Sequence, residues 1–143
     1  MSMIRLFDKC PHIAVNETRT LRFNGSLILP DGEYGFIELY CDDPKCDCRR
    51  VLIQVMTPTS GQKVWATINY GWENAGYYKK WCHSNDDDYQ GPFLDPINAQ
   101  SPYAGTLLEL FKQMLNDKAY VECFAKHYGL FRKQLTAKKR QCK

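Results

Sequence analysis

Three of the seven cysteines in this chain lie within eight consecutive residues, at positions 41, 46 and 48. A thiolate is a good nucleophile and a soft metal ligand, so closely spaced cysteines indicate thiol chemistry or metal binding. We call Cys41, Cys46 and Cys48 the cysteine cluster. The intervening residues include Asp42, Asp43 and Pro44, which favour a tight turn. The spacing therefore predicts a metal site in which one turn brings three sulfur atoms to the same ion.

Zinc is the expected ion because sulfur-rich tetrahedral sites suit it, and an iron–sulfur cluster is the less favoured alternative. In a tetrahedral zinc site with bonds of about 2.3 Å, the sulfur atoms lie roughly 3.8 Å apart. Residues i and i+2 of a straight strand are about 6.6 Å apart, which is too far. Cys46 and Cys48 must therefore lie on a bend of the chain if both bind one ion.

A fourth ligand has to come from another part of the chain, and His127 is the leading candidate. It lies on the apolar stripe of a predicted helix, and this helix is expected to cover the strand face that carries Cys41. Cys123 precedes His127 by one helical turn and is its closest competitor. The remaining candidates are Cys82 with His83, and Cys10 with His12. If no side chain completes the set, water takes the fourth position and the site is of the catalytic kind.

The other four cysteines are scattered, and the total of seven is odd. No apolar block typical of an export signal opens the chain, so a disulfide framework is not expected. No apolar run reaches the roughly 18 residues that a membrane span requires. These features predict a cytoplasmic protein that keeps its thiols reduced and has no membrane partner.

The first half of the chain is expected to form the sheet that positions the cysteine cluster. Four short segments rich in β-branched and aromatic residues, at 21–29, 33–41, 51–57 and 64–70, predict an antiparallel meander. In the second segment one face carries Ile37, Leu39 and Cys41, and the other carries Phe36, Glu38 and Tyr40. The cysteine cluster then joins the second and third strands at one end of the sheet.

The second half of the chain is expected to be helical. Residues 73–83 are a weak candidate, whereas Ser101 followed by Pro102 is a strong helix start. Asp117 can cap a further helix. Two apolar stripes at helical spacing follow these start signals: Ala104, Leu107, Leu108, Phe111 and Leu115, and then Tyr120, Phe124, His127, Tyr128, Phe131 and Leu135. The fold class predicted is α+β, with a four-stranded antiparallel meander and C-terminal helices packed on one face.

Length and charge predict one domain with a basic end. A chain of 143 residues suits one compact domain, which we place at residues 1–131. Six of the 19 basic residues and none of the 16 acidic ones fall within residues 132–143, so the net charge of +3 becomes −3 without this segment. The six are Arg132, Lys133, Lys138, Lys139, Arg140 and Lys143. Positive charge favours a helix C-terminus, so a basic helix end or tail is expected rather than a nucleic-acid contact.

Several stretches of the chain resemble a family of small uncharacterised bacterial proteins. The resemblance rests on Gly32-Glu33-Tyr34, on Tyr40-Cys41-Asp42-Asp43-Pro44 and on Cys46-Asp47-Cys48-Arg49-Arg50-Val51. It continues in Leu94-Asp95-Pro96, Gln100-Ser101-Pro102-Tyr103-Ala104 and His127-Tyr128. Members often carry a C-terminal SEC-C metal-binding motif, and its Cys-Gly-Ser-Gly sequence is absent here, where Cys142 stands alone. The resemblance implies a zinc-type site at the cysteine cluster and implies no substrate.

These observations predict a zinc-binding domain whose metal is structural and which acts as a binding or adaptor module for a protein partner. Two enzymatic alternatives stay open at this point. A coordination position left open would suit a metal-dependent hydrolase, and metal-free thiols at the cysteine cluster would suit a redox protein. No catalytic residue is assigned, because the sequence contains no nucleophile motif, phosphate-binding loop or dinucleotide-binding fingerprint.

Overall fold

Six antiparallel strands form one sheet in the computed structural model, which describes residues 2–58, 63–82, 87–98 and 100–141. The elements in chain order are β1 (Met3–Arg5), α1 (Leu6–Lys9), α2 (Pro11–Glu17), β2 (Arg19–Phe23), β3 (Gly32–Cys41), β4 (Arg50–Met56), β5 (Val64–Gly71), α3 (Ala75–Cys82), a 3₁₀ turn (Asp87–Gln90), β6 (Phe93–Leu94), α4 (Ala104–Met114) and α5 (Lys118–Gln141). None of the helices described is both long enough and apolar enough to cross a membrane.

Two short strands, β1 and β2, pair with the same edge of β3. β1 pairs with the end of β3 that carries Cys41, and β2 pairs with its first half up to Phe36. Ile37 and Glu38 therefore lie at a gap between these two partners, where α1 and α2 connect them. The other edge of β3 pairs with β4, and β5 and β6 complete the order.

The helices cover one face of the sheet, and strand alternation decides which residues meet them. Phe36 stacks against Phe111 of α4 with ring centroids 6.3 Å apart, and Tyr40 packs 5.8 Å from Phe131 of α5. Because successive side chains of a strand point to opposite faces, Glu38 lies on the same helix-covered face as these two aromatic residues. Ile37, Leu39 and Cys41 belong to the opposite face.

The α+β class and the position of the helices after the sheet are confirmed, but the sheet has six strands rather than four. The two additional strands, β1 and β6, contain three and two residues, which is too short for a periodic pattern. β2 ends at Phe23 instead of continuing to residue 29. The chain turns away at Gly25, whose φ of 72° is left-handed and whose N–H donates to the Asp31 carboxylate.

Of the two predicted helix starts, the cap at Asp117 is confirmed, whereas α4 begins three residues after Ser101 and has Tyr103 at its N-cap without a side-chain cap. The Asp117 carboxylate accepts a hydrogen bond from the N–H of Ala119 and so caps α5. At α4 the hydroxyl of Ser101 accepts the N–H of Tyr103, and the helix begins at Ala104. Phe111 contacts the ring of Phe124, so α4 and α5 pack against each other. α5 is thereby fixed on the sheet and reaches the end that carries the cysteine cluster.

Candidate metal centre

The three cysteines of the cysteine cluster converge at one end of the sheet. Cys41 is the last residue of β3, and Cys46 and Cys48 lie in the connection to β4. Their sulfur atoms all lie within 4.8 Å of one another. Cys41 and Cys48 are buried, while Cys46 is partly exposed and gives an ion access from solvent. The convergence predicted from the spacing is confirmed, and the cysteine cluster can bind a metal ion.

Residues 42–49, called the cysteine loop below, bend in the way that convergence requires. The Asp43 carboxylate accepts the N–H of Lys45 at 2.9 Å, and the Asp43 carbonyl accepts the N–H of Cys46 at 3.0 Å. Arg49 has a left-handed φ of 48°, which turns the chain sharply between Cys48 and β4. This conformation costs about 1–2 kcal/mol in a residue with a Cβ atom, so the surrounding contacts must hold it.

Burial and the neighbouring backbone have opposite effects on the pKa values of the Cys41 and Cys48 thiols. Burial raises the pKa of Cys41 and raises the pKa of Cys48 to about 12. The backbone of Asp43 acts to lower the pKa of Cys41, and the backbone of Arg50 acts to lower the pKa of Cys48. Backbone groups that stabilise a thiolate in this way also favour its binding to a metal ion. Without an ion, burial dominates and the thiols stay protonated.

Side chains from two helices hold the outer side of the cysteine loop. From α5, Tyr128 donates to the Asp47 carboxylate at 3.0 Å, and Arg132 donates to the carbonyl oxygens of Cys46 and Pro44. From α3, Tyr77 donates to the Asp47 carbonyl. The neighbouring Tyr78 donates to the carbonyl of Arg49 at 2.6 Å. The cysteine loop is therefore fixed by protein contacts, and α5 reaches it through two residues spaced one helical turn apart.

The arginines beside Cys48 make their side-chain contacts away from the sulfurs. Arg49 forms hydrogen bonds to the Asp47 carboxylate and stacks over the ring of Tyr77 at 4.8 Å. These contacts hold the left-handed residue in place. The guanidinium of Arg50 donates to the side-chain oxygen of Asn69 at 2.8 Å and lies among aromatic rings, those of Tyr78, Tyr89 and Phe93. The positive charges of Arg49 and Arg50 thus stabilise the fold of the cysteine loop and of the start of β4.

His127, the leading candidate for the fourth ligand, is not brought to the cysteine cluster. Among the residues that the structure describes, no fourth Cys, His, Asp or Glu joins the three sulfurs. His127 is buried beneath the other face of β3, where its Nδ1 lies 2.7 Å from Glu38 Oε1. The expectation placed the helices on the face of Cys41, whereas they cover the face of Glu38. An acidic residue within the apolar alternation of β3 was the signal in the sequence for this contact.

A second group of potential metal ligands surrounds His127, and we call Glu17, Cys123 and His127 the histidine cluster. One ligand atom from each lies within 4.8 Å of the other two. Nε2 of His127 lies 3.1 Å from Glu17 Oε1, and the Cys123 sulfur lies 3.8 Å from the same oxygen. Burial acts to lower the pKa of His127, but Glu38 and Glu17 outweigh it and raise this pKa. The histidine in turn lowers the pKa of Glu17.

The remaining candidates for the fourth ligand fall into two groups. The side chain of Cys82 and all of His83 lie outside the described residues. Cys10 is buried between α1 and α2, where burial raises its pKa. Neither Cys10 nor His12 joins a ligand group within the described part of the chain. The open alternatives are therefore Cys82, His83 and water.

The fold and the site define a small α+β domain with a three-cysteine cluster that can hold a metal ion. Comparison with protein-family models, with curated proteins and with solved structures finds no match to this chain.

Proposed function

We propose that this chain is a zinc-binding domain in which the ion at the cysteine cluster is structural. The observation that carries the proposal is the convergence of three sulfur atoms within 4.8 Å at one end of the sheet. Zinc is preferred over other divalent ions because sulfur-rich tetrahedral sites suit it. Of the fourth ligands considered from the sequence, Cys82, His83 and water remain candidates, because the described residues add no further ligand to the three sulfurs.

A structural role is supported by what the cysteine loop connects. Its backbone carbonyls accept hydrogen bonds from α3 and α5, and its two ends continue into β3 and β4. An ion at the cysteine cluster would therefore stabilise the junction of two strands with two helices. Because the binding free energy of such an ion adds directly to the folding free energy, its removal should loosen the whole domain.

Thiol redox activity is less well supported than metal binding. A redox cysteine needs a thiolate at neutral pH, and such thiolates lie in electropositive, partly exposed surroundings. Cys41 and Cys48 are buried, and burial raises the pKa of both. The side chains of Arg49 and Arg50 are engaged with other groups. A metal ion is the partner that would make these thiols ionise.

We propose that the domain serves as a binding or adaptor module for a protein partner. The side chain of Arg132 is engaged with the cysteine loop, so the basic segment 132–143 begins with a structural contact. This contact makes Arg132 less available for nucleic-acid binding.

Metal analysis of the untagged protein and its cysteine variants tests the proposal. We expect Cys41→Ser and Cys48→Ser each to lower the zinc content by about one ion per chain and to lower the melting temperature. Cys10→Ser is the matched control, because it also removes a buried thiol but lies outside both ligand groups. Full metal content in both Cys41→Ser and Cys48→Ser would overturn the proposal, and reversible oxidation without bound metal would favour the redox alternative.

The same analysis identifies the fourth ligand. Cys82→Ser and His83→Gln should separate the two side-chain candidates, because only the variant that removes a true ligand loses affinity. If neither variant changes zinc affinity, water occupies the fourth position and the hydrolase alternative gains support.

A further inference from the structure

The histidine cluster lies on the helix-covered face of β3, apart from the cysteine cluster, and the proposed structural zinc does not use it. His127 is fully buried, with a carboxylate on each ring nitrogen. Because an ionised carboxylate only accepts hydrogen bonds, Nδ1 carries a hydrogen and donates it to Glu38. Glu38 Oε1 also accepts the hydroxyl of Tyr40 at 2.5 Å, so the position of this carboxylate is fixed.

This arrangement leaves Nε2 of His127 directed at Glu17 and Cys123. A histidine held through Nδ1–H by a buried carboxylate is the form in which imidazole binds metal, because the tautomer and the ring orientation are already set. On the other side, Nε2 lies near a carboxylate oxygen and a thiol, which are two further metal-ligand types. A proton or a cation must stand between Nε2 and Glu17, since two lone pairs facing each other repel.

The distances match those expected around one small ion. With bonds of about 2.0–2.3 Å, a tetrahedral zinc site separates nitrogen, oxygen and sulfur ligands by roughly 3.3–3.7 Å. The observed separations are 3.1 Å between Nε2 and Oε1 and 3.8 Å between the sulfur and Oε1. The third separation is below 4.8 Å. Two of the three separations are therefore within a few tenths of an ångström of the values that coordination requires.

The charges in this region also call for a cation. Glu38 Oε2 is buried and has no hydrogen-bond partner among the described residues. Glu17 contributes a second carboxylate, whose contacts are His127, the thiol of Cys123 and the ammonium of Lys126 at 3.4 Å. Lys126 is largely exposed and can move away. The buried Glu38 oxygen and the Glu17 carboxylate therefore stabilise positive charge at Nε2 of His127, which either a proton or a metal ion can supply.

We propose that Glu17, Cys123 and His127 form a second metal site for a divalent ion of the zinc type, with Glu38 as the carboxylate that orients His127. The ion replaces the proton on Nε2 and the thiol proton of Cys123, so binding releases up to two protons to solvent. Three protein ligands leave one coordination position for water or a small ligand. Partial exposure of Glu17 and Cys123 gives access from solvent.

A nucleophilic role for Cys123 fits this geometry less well. A cysteine–histidine pair needs the imidazole to accept the thiol proton, and here the Glu17 carboxylate occupies the contact with Nε2. The negative charge of Glu17 also favours the protonated thiol. A metal ion uses the carboxylate, the imidazole and the sulfur together.

Cobalt titration of the full chain, stripped of metal with a chelator, tests the second site. Wild-type protein should bind two equivalents of Co²⁺, and Zn²⁺ should displace both. Glu17→Gln and Cys123→Ser should each weaken the second equivalent on the order of a hundredfold while the first is unchanged. Lys126→Gln is the control, because it changes a charge beside Glu17 without removing a ligand.

The two sites are distinguished by their spectra and by one further variant. Three thiolates give stronger sulfur-to-cobalt absorption than one, so Cys48→Ser should remove most of this absorption and keep the weaker band of the histidine cluster. If Cys48→Ser retained all absorption, the cysteine-cluster proposal would fail while the second site stood. Cobalt stoichiometry and affinity that stay at the wild-type values in both Glu17→Gln and Cys123→Ser would overturn the second site, whatever the cysteine cluster binds.

Discussion

The guanidinium group of Arg132 donates a hydrogen bond to the carbonyl oxygen of Cys46, across 86 positions of the sequence. A second hydrogen bond from the same group reaches the carbonyl of Pro44 at 2.8 Å. Tyr128, one turn earlier on α5, contacts the same segment through the Asp47 carboxylate. The basic residue that opens the segment 132–143 is thus a structural support of the cysteine loop.

Replacing Arg132 should weaken the metal site without changing its ligands. We expect Arg132→Gln to lower the free energy of unfolding by about 1–2 kcal/mol, because hydrogen bonds from a charged donor to two carbonyls are lost. Zinc affinity should fall with it, since the cysteine loop is less ordered before binding. Lys133→Gln removes the same charge from an exposed position and serves as control. Equal unfolding curves and zinc affinities for the two variants would contradict this role.

Gly71 is expected to tolerate no side chain, because of its contact with Tyr78. A Cβ atom at position 71 would overlap the Tyr78 ring, whose hydroxyl holds the carbonyl of Arg49. Gly71→Ala should therefore displace this ring and lower both the melting temperature and the zinc affinity. Gly129→Ala in α5 meets no atom within 4 Å and should instead stabilise the protein by about 0.5–1 kcal/mol. Circular-dichroism melting and competitive zinc titration of both variants check the contrast.

Acid should weaken the start of α5 through Asp117. The hydrogen bond from Arg19 lowers the pKa of Asp117, with further contributions from the N–H groups of Ala119 and Tyr120. A carboxyl whose pKa is lower in the folded state contributes stability above its ordinary pKa of about 3.9, and this is lost as the pH falls through the folded value. Asp117→Asn should thus be less stable than wild type at pH 7, and the difference should vanish in acid. A constant difference from pH 7 to pH 3 would exclude the charge effect.

Zinc binding at the cysteine cluster should weaken as the pH falls, because zinc and protons compete for the same sulfur atoms. Burial raises the pKa of Cys41 and raises the pKa of Cys48 to about 12, so these two thiols are protonated at neutral pH before the ion enters. Binding should therefore release about two protons per ion from them, and affinity should fall as the pH is lowered. Calorimetric titration in buffers of different ionisation enthalpy measures this number. With Cys48→Ser we expect one proton fewer, and an unchanged count would exclude Cys48 as a ligand.

The parts of the fold that the sequence revealed are those with a clear period or a strong local signal. Alternation located β3, β4 and β5, and the cap at Asp117 located α5. β1 and β6 are too short to show alternation, and their pairing depends on residues far away in the sequence. The convergence of the cysteine cluster was predictable because its three cysteines lie within one short segment.

The alternation along β3 did not predict which face of the sheet the helices cover. Both faces of β3 carry large apolar residues, so the periodicity did not say which one the helices cover. Glu38 was the informative residue, since a carboxylate in a buried alternation needs a partner, and His127 is that partner. Glu17, at the end of α2, gave no local signal, because its contact with His127 spans 110 positions.

The long separation between the cysteine loop and its supports on α5 has a consequence for biosynthesis. During translation the three cysteines leave the ribosome some 80 residues before Tyr128 and Arg132, which hold the loop from outside. The nascent chain thus exposes its thiols before the helix that completes their surroundings has been made. A metal ion that met these thiols before α5 was made would therefore meet a loop without its contacts to Tyr128 and Arg132, and the same thiols would be open to oxidants and to competing metals.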